Sequence, residues 1–158
     1  MAHLEDLLVE WYQWQGYIVR QNIFVGRRQN GGWDGELDVV AYHPQTRHLL
    51  HVEASLDAHS WAKREARFTK KFTAARQAAH SEVFPWLTPD IVLEHLGVLP
   101  SARAAGLAGA AVLSVDDLMA LIVAKIREHG VAAKAAIPEQ YALLRAIQFA
   151  VVGYYRVA

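Results

Sequence analysis

The 158-residue chain contains no cysteine, so neither a disulfide framework nor a thiolate metal site contributes to its fold or chemistry. No apolar run is long enough to cross a membrane, and the N-terminus lacks the basic-then-apolar layout of a secretory signal. Basic and acidic side chains balance at 16 each, which argues against a general nucleic-acid coat protein but permits local basic patches. These absences favour a cytoplasmic protein without membrane association.

Several common site motifs are missing as well. The histidines are scattered, with no His-X-X-X-His pair that would place two zinc ligands on one helix face. There is no Gly-Lys-Ser/Thr phosphate loop and no Gly-X-Ser-X-Gly nucleophile elbow. No internal repeat or linker interrupts the chain. We therefore expect one domain over residues 1–158, with a core at about 4–115 and C-terminal helices at about 115–158.

Hydrophobic periodicity predicts the element order α-β-β-β-α-β-(β)-α-α. Apolar residues recur at helical spacing from Leu4 to Trp11, and strand-like runs follow from Tyr17 to Ser55. The helical period returns from Ser60 to Ala79. A capping pair, Ser114 and Asp117, opens a later helix. Strands and helices in this order predict an α/β protein with a central mixed sheet flanked by helices.

The stretch from Gly35 to Ser55 predicts a β-hairpin closed by the four residues 44–47. In that register His43 faces His48, and Asp38 faces Glu53. Because strand side chains alternate, one face of the hairpin is expected to be an apolar wall. That wall comprises Leu37, Val39, Ala41, Leu50, Val52 and Ala54, and the opposite face carries Glu36, Asp38, His51, Glu53 and Ser55.

Two facing carboxylates repel each other across a strand pair, where Cβ atoms lie about 5 Å apart. A shared proton, a basic side chain or a divalent cation would compensate the repulsion between Asp38 and Glu53. Hard cations such as Mg²⁺ take carboxylate oxygens together with water and phosphate oxygens. The alternative is a solvated sheet face on which the two acids repel only through water.

The helix expected at Ser60–Ala79 is basic, with Glu65 as its only acid. Arg64 and Lys71 flank its apolar stripe, whereas Arg67 and Lys70 lie on the far side. Most basic helices present a solvated face. Because this one follows the acidic strand face, it could instead hold phosphates.

A helix with an acid, a Gly-Tyr strand start, Gly-Glu-Leu-Asp-Val-Val and Val-Glu-Ala-Ser together resemble the PD-(D/E)XK nuclease superfamily. The resemblance covers residues 4–79 and is nearest to the restriction-endonuclease-like and Holliday-junction-resolvase-like branches. It implies a restriction-endonuclease-like αβββαβ core. It also implies that Asp38, Glu53 and the carbonyl of Ala54 bind Mg²⁺, with Mn²⁺ as a substitute. Glu36 and Glu5 match additional acids of the family.

The chain departs from the family at Ser55, where the family has a lysine that helps to activate water or to stabilise the transition state. The positive group could have moved to the following helix, where the helical phase favours Lys71 over Arg64 and Lys70. Alternatively, the site binds without cutting. His51 could help to orient water, or it could be a buried sheet histidine.

The resemblance therefore implies Mg²⁺-dependent hydrolysis of DNA phosphodiester bonds, as in an endo- or exodeoxyribonuclease, by a protein that could act as a homodimer. The alternative that it leaves open is a catalytically degenerate module that binds nucleic acid or a protein partner. A protein unrelated to nucleic acid, with solvated acids, is a third hypothesis. The residues expected to contact backbone phosphates are Arg64, Arg67, Lys70, Arg27 and Arg28.

Overall fold

The computed structural model describes residues 2–102 and 106–153. These residues form an α/β fold in which helices flank a five-stranded mixed sheet. No helix in the described ranges is long and apolar enough to cross a membrane. In chain order the elements are α1 (Ala2–Trp14), β1 (Ile18–Arg27), β2 (Trp33–His43), β3 (His48–Ala54), α2 (Trp61–Ala78), a π-helical turn (Ala79–Val83), β4 (Leu93–Leu99), β5 (Ala111–Ser114), α3 (Val115–His129), α4 (Ala132–Ala135) and α5 (Ala142–Val151).

The strands lie in the order β1-β2-β3-β4-β5. The pairs β1–β2 and β2–β3 are antiparallel, and the pairs β3–β4 and β4–β5 are parallel. The predicted hairpin register is confirmed from His43–His48 through Val40–His51, and the β2–β3 ladder ends at the next pair. Strand β3 is therefore central, and every residue in it after His48 is buried.

Helices α1, α3 and α5 cover one face of the sheet, here called the α1 face. Its core is formed by aliphatic and aromatic side chains, most of which helical spacing or strand alternation predicted. Five of the six residues expected in the apolar wall contribute to it. The sheet residues are Val39, Ala41, Leu50, Val52, Ala54 and Val98, and the helices contribute Leu4, Leu8, Trp11, Tyr12, Leu118, Ile122, Ile126 and Leu144.

Helix α2 and the π-helical turn cover the opposite face, here called the α2 face. Leu37 packs on this face together with Val40, so its assignment to the apolar wall was wrong. The side chains of β2 do not alternate strictly between the two faces, because the β1–β2 ladder is interrupted where Asn22 would pair with Asp38. Asn22 has a left-handed φ of 51° at this point. This irregularity lies beside the acidic pair.

The ends of the helices follow local capping chemistry. Ser114 accepts a hydrogen bond from the amide of Asp117, as predicted, and α3 ends at Gly130. Helix α5 begins at Ala142. The carboxylate of Glu10 accepts hydrogen bonds from the amides of residues 143 and 144, so a side chain of α1 caps α5.

Candidate functional site

Asp38 and Glu53 meet where the β2–β3 ladder ends, and their side chains replace the missing backbone bonds. The amide of Asp38 donates to Oε1 of Glu53 at 3.2 Å. In return, the amide of Ala54 donates to Oδ2 of Asp38 at 3.0 Å. Both acids are buried, and Glu53 is only 1% exposed. The two acids thus bridge adjacent strands instead of facing solvent.

Lys71 of α2 lies between the two acids. Its Nζ is 2.7 Å from Oδ1 of Asp38 and 2.5 Å from Oε2 of Glu53. The helical phase predicted this position; Arg64 contacts Asp57 instead, and Lys70 lines a separate depression. A shared proton, a basic side chain or a divalent cation could offset the repulsion between the two carboxylates, and the structure shows a basic side chain. The positive charge comes from Lys71 of the helix that follows β3.

The three charged groups shift one another's pKa values. Burial, followed by the charge of Asp38, raises the pKa of Glu53 well above its ordinary value. Burial would also raise the pKa of Asp38, but the charge and hydrogen bond of Lys71 lower it overall. Burial opposes the charge of Lys71, yet the two carboxylates raise its pKa. The site therefore holds two carboxyl groups against one ammonium group, away from bulk solvent.

The oxygens of the two acids are unequally satisfied. Oε1 of Glu53 accepts hydrogen bonds from the amide of Asp38 and from Nε2 of His51, the latter at 2.8 Å. Oε2 of Glu53 is buried and makes no hydrogen bond of acceptable geometry, although Nζ of Lys71 lies close to it. The ammonium of Lys71, 2.5 Å away, is therefore an ion-pair partner of this oxygen that lacks ideal hydrogen-bond geometry. His51 is fully buried with Nε2 committed to Glu53, which favours the buried-histidine interpretation.

A cleft of about 340 Å³ opens beside the acids. Its wall combines Asp38 and the chain that follows β3 with Glu5 of α1 and Arg67 of α2. Glu5 is half-buried, whereas Glu36 is exposed. The residues lining the cleft are Glu5, Asp38, Ala54, Ser55, Leu56, Asp57, His59 and Arg67.

No pattern in the sequence pointed to Asp57, yet the contacts of this residue organise the cleft wall. Its carboxylate accepts a short hydrogen bond from the hydroxyl of Ser55 and one from Arg67 at 2.9 Å. Its carbonyl accepts from Nη2 of Arg64 at 2.5 Å. Burial tends to raise the pKa of Asp57, but the hydrogen bonds from Ser55 and the amide of His59 lower it to about 2. Ser55 therefore holds the carboxylate of a loop acid at the cleft wall.

The remaining basic residues expected to contact phosphate lie apart from the acids. Arg28 is exposed and pairs with Asp34 at 2.8 Å, and Arg27 is exposed at the end of β1. Lys70 is exposed and lines a separate depression together with Arg28. Of the five basic residues predicted to bind substrate, only Arg67 lines the cleft, and Arg64 braces the loop beside it.

No family model, curated protein or solved structure matches this chain. Among residues 2–102 and 106–153, no group of three or more His, Cys, Asp or Glu side chains is placed to hold a metal ion. A cation between Asp38 and Glu53 would therefore need further oxygens from the Ala54 carbonyl, water or substrate, as Mg²⁺ commonly does. The resemblance to the PD-(D/E)XK superfamily rests on the residues themselves.

Proposed function

We propose that this protein is a metal-dependent, restriction-endonuclease-like hydrolase of DNA phosphodiester bonds. One observation carries the proposal: two buried carboxylates from adjacent strands share a single lysine from the next helix at the edge of a cleft. A purely structural role for two buried carboxylates and a half-buried ammonium is costly, because the loss of hydration often exceeds what the mutual attraction of the ions returns. Such groups, with pKa values shifted by burial and by one another, are typical of functional sites.

The donor set fits Mg²⁺ or Mn²⁺. Asp38 Oδ1 and Glu53 Oε2 are carboxylate oxygens aimed at one point, and the second of them lacks a well-formed hydrogen bond. The carbonyl of Ala54 is the third expected ligand. When bound, a divalent cation at such a site supplies a Lewis acid for the phosphate and lowers the pKa of a coordinated water.

Lys71 would have two tasks. Without a cation, its ammonium keeps the two carboxylates from repelling each other. With substrate present, a phosphate bound next to Asp38 and Glu53 would lie near the same ammonium, which would stabilise the negative charge that develops on the phosphate oxygens. Preorganised positive groups of this kind commonly contribute about 10²–10³ in rate. Arg67, at the cleft wall, would contact a backbone phosphate, while Arg64 keeps the loop in position.

A second candidate is a module that binds nucleic acid without cutting it. The specific observation in its favour is that Lys71 already contacts both acids, so a cation must displace it from at least one of them. Asp57 likewise engages the guanidinium groups of Arg64 and Arg67. In this alternative the ion pairs would be permanent and the site would take up no metal.

The test is nicking of supercoiled plasmid DNA with Mg²⁺ or Mn²⁺, comparing the wild-type protein with Asp38→Asn. We expect the wild type to nick and the variant to fall to background, since the substitution removes a charged ligand but preserves the shape of the side chain. The matched control is Asp116→Asn, the same change at an exposed position in α3. It should cut as the wild type does.

Calorimetry with Mn²⁺ separates the two candidates. Metal uptake and nicking that are both lost in Asp38→Asn support the hydrolase. Salt-dependent DNA retention without metal uptake or nicking by the wild type supports the binding module, because phosphate contacts weaken steeply with salt. Equal nicking by wild type and Asp38→Asn would contradict the assignment of the site.

A further inference from the structure

A chain of hydrogen bonds leads from Glu53 through the protein to the surface of α2. Nε2 of His51 lies 2.8 Å from Oε1 of Glu53, and Nδ1 of His51 lies 3.2 Å from Nδ1 of His95 on the parallel neighbour β4. Nε2 of His95 then lies 3.2 Å from Nη1 of Arg76. The strand register explains the meeting, because His51 and His95 are directly paired across β3 and β4.

The direction of this chain follows from its outer end. A guanidinium group can only donate hydrogen bonds, so Nε2 of His95 must accept from Arg76. In a neutral ring the other nitrogen then carries the proton, and Nδ1 of His95 donates to Nδ1 of His51. His51 consequently carries its proton on Nε2 and donates it to Glu53. Every N–H in the chain is oriented toward the carboxylate.

The two rings are held in fixed orientations. The ring of Phe72 stacks on His95, with centroids 4.4 Å apart and an interplanar angle of 26°. The same phenyl ring meets His51 edge to face at 5.6 Å. Because Nε2 of His95 accepts from Arg76 and Nδ1 of His51 accepts from His95, neither ring carries a second proton.

We propose that Arg76, His95 and His51 are positioning residues, a one-way hydrogen-bond chain that sets the orientation of Glu53 for a cation. With Oε1 held by His51 and by the amide of Asp38, the carboxylate presents its other oxygen toward Asp38 and Lys71. The inference rests on the proposed function, since it gives the chain a role only if Glu53 binds a metal. Partners that orient metal-binding side chains commonly contribute 10–100-fold in affinity.

The tautomers can be observed directly, without metal. Long-range ¹H–¹⁵N correlation spectra of the full protein near pH 7 identify the protonated nitrogen of each histidine. We expect a neutral His51 with its proton on Nε2 and a neutral His95 with its proton on Nδ1. The opposite tautomer at either ring, or a charged ring, would overturn the chain as described.

The variant His95→Leu removes the donor to His51 and retains an apolar side chain under Phe72. We expect the Kd for Mn²⁺, measured by calorimetry, to rise about 10–100-fold. His95→Asn replaces the imidazole with an amide donor near the position of Nδ1 and should recover most of the affinity. Arg76→Met, at an exposed position, should weaken Mn²⁺ binding less than His95→Leu, because His95 can still donate. The matched control is His3→Leu, an exposed histidine on α1.

Failure of the positioning role and failure of the proposed function give different results. If wild type binds Mn²⁺ but His95→Leu binds it equally well, the chain does not position Glu53 and the proposed function stands. If wild type takes up no Mn²⁺, the proposed function falls, and the chain's role toward a cation falls with it. Weakening by His95→Leu with recovery by His95→Asn supports the positioning role over a merely structural one.

Discussion

The two faces of the sheet differ in what they bury. The core of the α1 face consists of aliphatic and aromatic side chains from the sheet and from three helices. The α2 face has two hydrophobic clusters, and between β2, β3 and α2 it also buries Asp38, Glu53 and His51, with Lys71 half-buried beside them. Both faces use the same central strand, since alternate residues of β3 point to opposite sides.

This difference separates stability from chemistry. Apolar burial contributes about 25 cal/mol per Å², whereas buried ions rarely repay the cost of their desolvation. We infer that the α1 face supplies most of the stability that allows the α2 face to keep charged groups in its interior. Substitutions on the two faces should therefore affect different measurements.

The largest effect on stability is expected from Ile122→Ala in α3. Ile122 is fully buried in the core of the α1 face. Its truncation should lower the free energy of unfolding by about 2–5 kcal/mol through lost transfer energy and a residual cavity. Urea denaturation measures this, and nicking per folded molecule should stay unchanged. The exposed neighbour Leu121 gives the control, since Leu121→Ala should shift stability by less than about 0.5 kcal/mol.

A smaller loss of stability is expected when the pH is lowered, and we expect it to come from titratable groups on the α2 face. His51 has a pKa of about 3 in the folded protein, so between pH 6.5 and 4 the unfolded chain binds a proton that the folded chain does not. The free energy of unfolding should therefore fall by about 3 kcal/mol over that range from this residue alone. His95 adds to the fall, Asp38 adds only at lower pH, and Glu53, whose pKa is raised, opposes it.

Urea denaturation at pH 7 and pH 4 checks this prediction with His51→Gln as the comparison. The variant cannot take up the proton in its unfolded state, so its pH dependence should be shallower than that of the wild type. The control His3→Leu removes an exposed histidine and should leave the wild-type slope unchanged. Parallel curves for wild type and His51→Gln would contradict the assignment.

The two faces also differ in how many of their contacts could be predicted from the sequence. Helical spacing and strand alternation identified most of the α1 core, and the hairpin register together with the helix phase identified Asp38, Glu53 and Lys71 as neighbours. These contacts are encoded within about 35 residues of continuous chain. The pairing of His51 with His95 depends on a parallel strand whose register no local pattern specifies. The bracing role of Asp57 depends on loop conformation, which periodicity does not describe.

The smallest effect, and the one that most sharply distinguishes the two faces, is expected from Glu53→Gln. Because the pKa of Glu53 is raised in the folded protein, the ionised group lowers stability at neutral pH, and the stability it contributes at acid pH is lost as the pH rises. Its replacement should therefore raise the free energy of unfolding at pH 7 by about 1 kcal/mol, while nicking falls to background. Lys71 keeps Asp38 as a partner in the variant.

The matched control for this substitution is Glu128→Gln, which removes an exposed carboxylate from a surface ion pair with Lys125 and should change little. A stability gain in Glu53→Gln that vanishes at acid pH would mean that the buried charge is retained for chemistry at the expense of the fold. A loss of stability would mean the reverse, since the donors from His51, Lys71 and the Asp38 amide would then outweigh desolvation. In that case the α2 face would contribute to stability through its polar groups, and the division between the two faces would not hold.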